Sequence, residues 1–255
     1  MIAPQYMTMD VHMLGAMYAI SDAVTIMAMG NYTSKSMRLQ TRTNVNFNTK
    51  SGGFGDVMLS TLIKILNKNR QSLHLNAGVS IPTGSISQRD DTPMASNIVL
   101  AYPMQLGSGT WDPMLGFTYL GQTSHFSWGV QTSYKFRMSD NAENYRFGNT
   151  LNAVTWGAVK VSRALSFSTS ITYNDSEQIE GADARLNPAV MPLFNTQNSG
   201  RRQLDAGVGV NVYLPKKILE NLRLGAEVKY PVFQDVNGIQ MQNLLMTVFG
   251  LQYAF

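Results

Sequence analysis

Apolar and polar residues alternate along most of this chain, and strict alternation leaves few folds open. Between residues 72 and 82, Leu73, Leu75, Ala77, Val79 and Ile81 are interleaved with His74, Asn76, Gly78 and Ser80. From 202 to 214, Leu204, Ala206, Val208, Val210, Val212 and Leu214 alternate with Gln203, Asp205, Gly207, Gly209, Asn211 and Tyr213. Successive side chains of a strand point to opposite faces, so each such segment has one oily and one polar face. About eleven segments read this way: 5–19, 23–33, 53–66, 72–82, 107–120, 125–138, 145–161, 165–174, 201–214, 222–232 and 242–255. Several exceed ten residues, whereas strands of soluble proteins average five or six. A strand tilted across a bilayer needs about nine to eleven.

Composition narrows the choice. Charged residues are 14% of the chain and hydrophobic ones 44%; a soluble domain usually has about a quarter charged. No run of eighteen apolar residues occurs, which excludes a helical span. With no cysteine, a disulfide scaffold, thiolate zinc and a cysteine nucleophile are excluded. The net charge of +4 is spread out. Its closest clusters are the pairs Arg201-Arg202 and Lys216-Lys217, so nucleic acid is not an expected partner. Met1 is followed by neither a basic start nor an apolar core, so no signal peptide is read there.

The connections alternate in length. Tight ones at 20–22, 67–71, 121–124 and 162–164 face long polar ones at 33–52, 83–106 and 175–200. Short turns on one side and long loops on the other are the layout of bacterial outer-membrane barrels. The expected fold is therefore a single transmembrane antiparallel up-and-down β-barrel in the outer membrane of a Gram-negative cell. With the short turns periplasmic, the segment ending at Phe255 and the first segment, 5–19, both run inward. Single-chain barrels usually have an even number of strands, so the complete wall is expected to hold about twelve. On that expectation, a signal peptide and about one strand precede Met1. The last segment ends in an aromatic residue after alternating apolar ones, resembling the signal read by the barrel-insertion machinery. Aromatic residues near strand ends (Tyr18, Tyr32, Trp128 and Tyr253 among them) suit membrane–water interfaces.

Charge is costly on the lipid side, about 2–4 kcal/mol for Arg or Lys at the midplane. The polar parity is therefore expected to face the lumen. The expected pore lining is Asp10, His12, Asp56, Lys64, His74, Asp112, Gln131, Lys135, Arg137, Asp205, Arg223, Glu227 and Lys229. Its mixed signs suit a selective pore or a self-paired filling, and twelve strands fall between packed eight-strand and open sixteen-strand barrels. Met7, Met9, Met13 and Met17 share the other parity, which is expected to face lipid or a partner. Thioethers with an imidazole suit soft Cu(I). That would require His12 beside Met7, Met9 and Met13, yet alternation turns His12 away from them, so no metal is expected. Asp90-Asp91 and the loop acids Asp175, Glu177, Glu180 and Asp183 read as solvated charge rather than a calcium site. No cofactor motif is present, and no serine is singled out by a histidine at telling spacing.

Several stretches together resemble one family. They are Met-Thr-Met-Asp-Val-His-Met-Leu-Gly (7–15), Gly-Phe-Gly-Asp (53–56), Leu-His-Leu-Asn-Ala-Gly-Val-Ser-Ile-Pro-Thr-Gly-Ser-Ile (73–86), Tyr-Pro-Met-Gln-Leu-Gly-Ser-Gly-Thr-Trp-Asp (102–112), Gly-Ala-Asp-Ala-Arg-Leu-Asn-Pro-Ala (181–189) and Gln-Tyr-Ala-Phe (252–255). This set is similar to the meta-pathway phenol-degradation family of outer-membrane transporters. The resemblance implies a barrel that passes small organic solutes; it assigns no residue a role. The expected function is passive passage of such solutes through a polar lumen, with no catalysis. The partners would be the lipid bilayer, the insertion machinery acting through the strand that ends at Phe255, and the solute. The alternatives are an outer-membrane lipid hydrolase, a plugged structural or partner-binding barrel, and a copper-related role of the methionine-rich segments.

Overall fold

Tight hairpins set the register of the wall. At residues 69–70, Asn69 and Arg70 both take positive φ, 54° and 61°. That pair of left-handed residues makes the two-residue turn whose twist matches its flanking strands. The computed structural model describes residues 1–214 and 221–254, so Lys216-Lys217 and Phe255 lie outside the described residues. In chain order the strands are β1 (Ile2–Ala19), β2 (Val24–Thr41), β3 (Asn46–Phe54), β4 (Val57–Lys68), β5 (Gln71–Ile81), β6 (Arg89–Thr92), β7 (Ala95–Val99), β8 (Asp112–Gln122), β9 (Phe126–Lys135), β10 (Tyr145–Arg146), β11 (Thr150–Lys160), β12 (Leu165–Ser176), β13 (Glu180–Gly181), β14 (Arg201–Tyr213), β15 (Leu222–Val236) and β16 (Met246–Tyr253).

The wall is one antiparallel up-and-down sheet in the order β1-β2-β4-β5-β8-β9-β11-β12-β14-β15-β16, with β3 added on the upper half of β2. β3 and β4 act as one strand interrupted at Gly55-Asp56: β2 pairs with β4 through residues 24–29 and with β3 through residues 32–40. The protein thus has the eleven-strand wall of an outer-membrane β-barrel. β1 and β16 are its two edges. They run in the same sense, because an even number of reversals separates them.

The outer face carries the membrane band. Leu59, Ile63, Leu75, Leu115, Phe117, Val130, Phe167, Ile171, Val208, Val228, Phe249 and Leu251 are all exposed there. Burying them in lipid rather than water is what makes this surface stable. Aromatic pairs flank the band. Tyr32 meets Phe54 edge-on with ring centroids 5.4 Å apart toward the long-loop side, and Phe126 stacks on Trp128 at 5.6 Å toward the short turns.

The buried apolar core lies where the upper ends of β1 and β2 meet the long connections. It consists of Met37 and Leu39 of β2, Ile2 of β1, Val99, Leu100, Ala101, Tyr102 and Met104, then Tyr145, Leu186, Met191, Leu193 and Phe194. The connections at 82–111, 136–149 and 177–200 therefore fold together into a cap seated in the barrel mouth. Two small ladders brace it, β6 with β7 and β10 with β13.

One expected loop is not a loop. Residues 33–52 form the upper half of β2, a tight turn and β3, with Thr41 and Asn44 hydrogen-bonded across the turn. Above the bilayer neither face has to be oily, so the alternation that marks a strand fades although the ladder continues.

Candidate functional site

The facing of each strand follows from cross-strand pairing, because residues directly opposite share a face. Met7 pairs with Met37, Met9 with Lys35, Val11 with Thr33 and Met13 with Asn31. Met37 and Thr33 are buried, and the Lys35 Nζ reaches the cap, donating to the Pro103 carbonyl at 2.8 Å and the Gln105 carbonyl at 2.5 Å. The odd parity of β1 and β2 is therefore the inner one. Asp10 and His12 pair with Ser34 and Tyr32 on the outer face. This reverses the facing expected of both, and of Met7, Met9 and Met13. Asp10 stands ten residues from the short turn at 20–23, at the edge of the apolar band, where a charge costs about 0–1 kcal/mol rather than the midplane penalty. His12 remains on the opposite face from Met7, Met9 and Met13.

The other predicted residues lie on the inner side. Met27 faces Ser60, which faces Gly78, and the same parity carries Lys64 opposite His74. Asn76 donates to the Thr118 hydroxyl at 3.0 Å, and Thr118 pairs with Gln131. Lys135 pairs with both Met114 and Thr150. Asp205 is buried and accepts from Gln203 at 2.6 Å. Lys229 reaches the Thr172 hydroxyl at 3.2 Å and stands 3.6 Å from Glu227, which bonds the Ser170 hydroxyl. Arg223 donates to Asn211 at 2.7 Å.

Among the described residues, these rows border two sizeable cavities. The larger, about 670 Å³, lies toward the short turns and is lined by Gln131, Trp156, Ser168, Asn211, Arg223 and Glu227 among others. The second, about 450 Å³, lies directly beneath the cap, between the β1–β2–β4 wall and the upper end of β9. The inner surface is two-sided. Met13, Met17, Met27, Met29 and Met58 line the wall made by β1, β2 and β4, while the wall from β5 round to β15 mixes hydroxyl, amide and charged groups with Leu120, Val154 and Trp156. Gly15 matters here: a Cβ at that position would stand 2.9 Å from the Met29 side chain, so glycine lets the thioether lie flat.

Two inward acids anchor the cap. The Asp56 carboxylate accepts from the Gly84 amide at 2.9 Å, the Ser108 amide at 2.8 Å and the Ser108 hydroxyl at 2.8 Å. Asp112, fully buried, accepts from the Thr110 hydroxyl at 2.6 Å, shares the single Ser108 hydroxyl proton with Asp56 at 2.9 Å, and pairs with Arg137. Higher in the cap, Arg185 bridges Asp183 and Glu143 at 2.6 and 2.8 Å. Burial disfavours charge on Asp183, yet hydrogen bonds from the Arg185 side chain and backbone hold its carboxyl below the ordinary range. Tyr145 packs edge-on against Tyr102 at 4.9 Å and Phe147 at 5.7 Å. Its hydroxyl is buried without a hydrogen-bond partner, and burial pushes it up to about 12.

The sequence assigns no role to Lys35 of β2 and Ser51 of β3, which meet the cap, or to Tyr102, Ser108 and Tyr145 within it, although Tyr102 and Ser108 lie in the family-like stretch 102–112. A further signal is the apolar run from Ile98 to Tyr102 inside a stretch otherwise read as a polar loop. Among the described residues, no group of three or more His, Asp or Glu is placed to hold a metal ion. Ser124 Oγ lies 2.9 Å from His125 Nδ1, but in an exposed turn and with no acid on the imidazole among the described residues.

A solved structure described as the COG4313 outer membrane channel from Pseudomonas putida F1 is similar to this chain. Its TM-score is 0.62 at 15% identity, covering 96% of this chain and 82% of that one. At that identity the likeness concerns the fold. No curated protein matches the sequence. A family model does, over residues 3–217. The match spans most of the chain and the strands from β1 to β14, and the protein belongs to the family described as "Putative MetA-pathway of phenol degradation".

Proposed function

We propose that the barrel is a passive channel that admits small organic solutes, aromatic ones included, across the outer membrane. The observation that carries this reading is the two-sided lumen. Its walls are not knitted together by side chains but leave cavities of about 670 and 450 Å³. An eight-stranded barrel has its interior filled; a wall of eleven strands has more room. The solute would move down its gradient, with the methionine wall meeting its apolar part and the hydroxyl and amide wall meeting its polar part. A solved channel of the same fold and the membership of a phenol-degradation family support this reading. A twelfth strand between β1 and β16, antiparallel to both, would complete the wall; its support is the shared sense of the two edges.

The cap supports a second reading, a plugged barrel that holds a partner. Reconstitution separates the two. Proteoliposomes should take up phenol-sized solutes faster than empty liposomes and exclude large oligosaccharides. Planar bilayers should show discrete conductance steps. Uptake no faster than in empty vesicles, with no conductance, would reject the channel and leave the plug.

A further inference from the structure

The chamber beneath the cap carries charge that nothing within it cancels. Three cations face it: Lys35, Lys135 and Arg137. Two acids stand beside them, Asp56 and Asp112. Both are saturated by cap amides and hydroxyls, and Asp112 also holds Arg137. Lys35 is solvated by two neutral carbonyls, Pro103 and Gln105, and pairs with no acid among the described residues. Among the described residues, Lys135 has no acid within ion-pair distance and no hydrogen-bonded carbonyl. The balance is one positive charge, which an anion entering the chamber would offset. Met13, Met29 and Met58 line the same chamber, their thioethers on the wall that also carries Lys35, and the Phe147 ring lies under the Arg137 guanidinium at 5.8 Å. Sulfur and aromatic ring edges attract one another. The volume, about 450 Å³, falls in the range of sites that enclose small molecules.

We propose that this chamber is a binding station for a small aromatic monocarboxylate, with its ring on Met13, Met29 and Met58 and its carboxylate on Lys135, assisted by Lys35. The assignment rests on the channel reading and narrows it. A phenol, with a pKa of about 10, is neutral at pH 7, so it offers the chamber a ring but no charge. A benzoate offers both. The station lies directly under the cap, so the anion is held at the point where the loops meet the wall, before the wider cavity below.

Benzoate is the probe. Equilibrium dialysis of the intact barrel in detergent should show benzoate bound at least tenfold more tightly than benzamide, which keeps the ring and loses the charge. Benzoate should also exceed acetate, which keeps the charge and loses the ring. Lys135→Met should weaken benzoate at least tenfold and leave benzamide unchanged. Lys135→Arg should restore most of the benzoate affinity. Heat-modifiable gel mobility confirms that each variant is folded. Equal binding of benzoate and benzamide, or equal losses of both in Lys135→Met, would overturn the station. Conductance separates this result from the broader reading. A barrel that conducts without preferring benzoate rejects the station alone. One that binds benzoate yet conducts nothing rejects the channel and leaves the site.

Discussion

Tyr145 shows how a single side chain can report on the whole cap. It is fully buried, ringed by Tyr102 and Phe147, and its hydroxyl has no partner. A buried, unpaired polar group costs about 1–3 kcal/mol of desolvation that a phenyl ring would not incur. Tyr145→Phe should therefore stabilise the cap by about 1 kcal/mol. Limited proteolysis of the loops at 136–149 and 177–200 should become slower. Faster cleavage would mean that the hydroxyl makes a bond the packing conceals. Nothing in the sequence around Tyr145 marks it as core, because its neighbours Asn144 and Arg146 are polar and β10 is two residues long. Much of its burial comes from residues distant in the chain, Tyr102 among them.

At the scale of a strand, alternation reveals that two faces exist without always revealing which face is which. For β5, β12 and β14 the oily parity is the outer one, since lipid is the only apolar medium those strands meet. β1 breaks the rule because its inner parity faces both the apolar cap and the methionine wall, so Met7, Met9 and Met13 point inward. The absence of native cysteine makes a clean test possible. In proteoliposomes, Met13→Cys should react with a water-soluble maleimide at least tenfold faster than Leu14→Cys, which faces lipid. The opposite order would return Asp10 and His12 to the lumen. The same logic explains why residues 33–41 read poorly. Above the membrane, Thr33, Lys35, Met37 and Leu39 share an inner face with no common chemistry, and only their ladder with β3 keeps them extended.

At the scale of the whole molecule, a rigid wall holds a cap through a small number of charged anchors. Asp183 accepts the Arg185 guanidinium, its amide donates to the Tyr102 hydroxyl at 2.9 Å, and its carboxyl is depressed below the ordinary range. A depressed carboxyl contributes stability that is present above its unfolded pKa and is lost as pH falls through its folded one. The cap should thus hold at neutral pH and loosen below about pH 4. Planar-bilayer conductance should rise reversibly across that window. Asp183→Asn should start from a raised conductance at pH 7 and lose the step; an identical step in that variant would place the acid sensor elsewhere. What the sequence determined alone is the wall: its alternation, strand lengths and short turns follow from local backbone geometry and from lipid, a medium uniform enough to be read residue by residue. What only the tertiary structure decided is the cap, the facing of β1 and the charged chamber between them. Each depends on groups brought together from across the chain, such as Lys35 with Gln105 or Asp56 with Ser108, and no local pattern encodes which distant surface a side chain will meet.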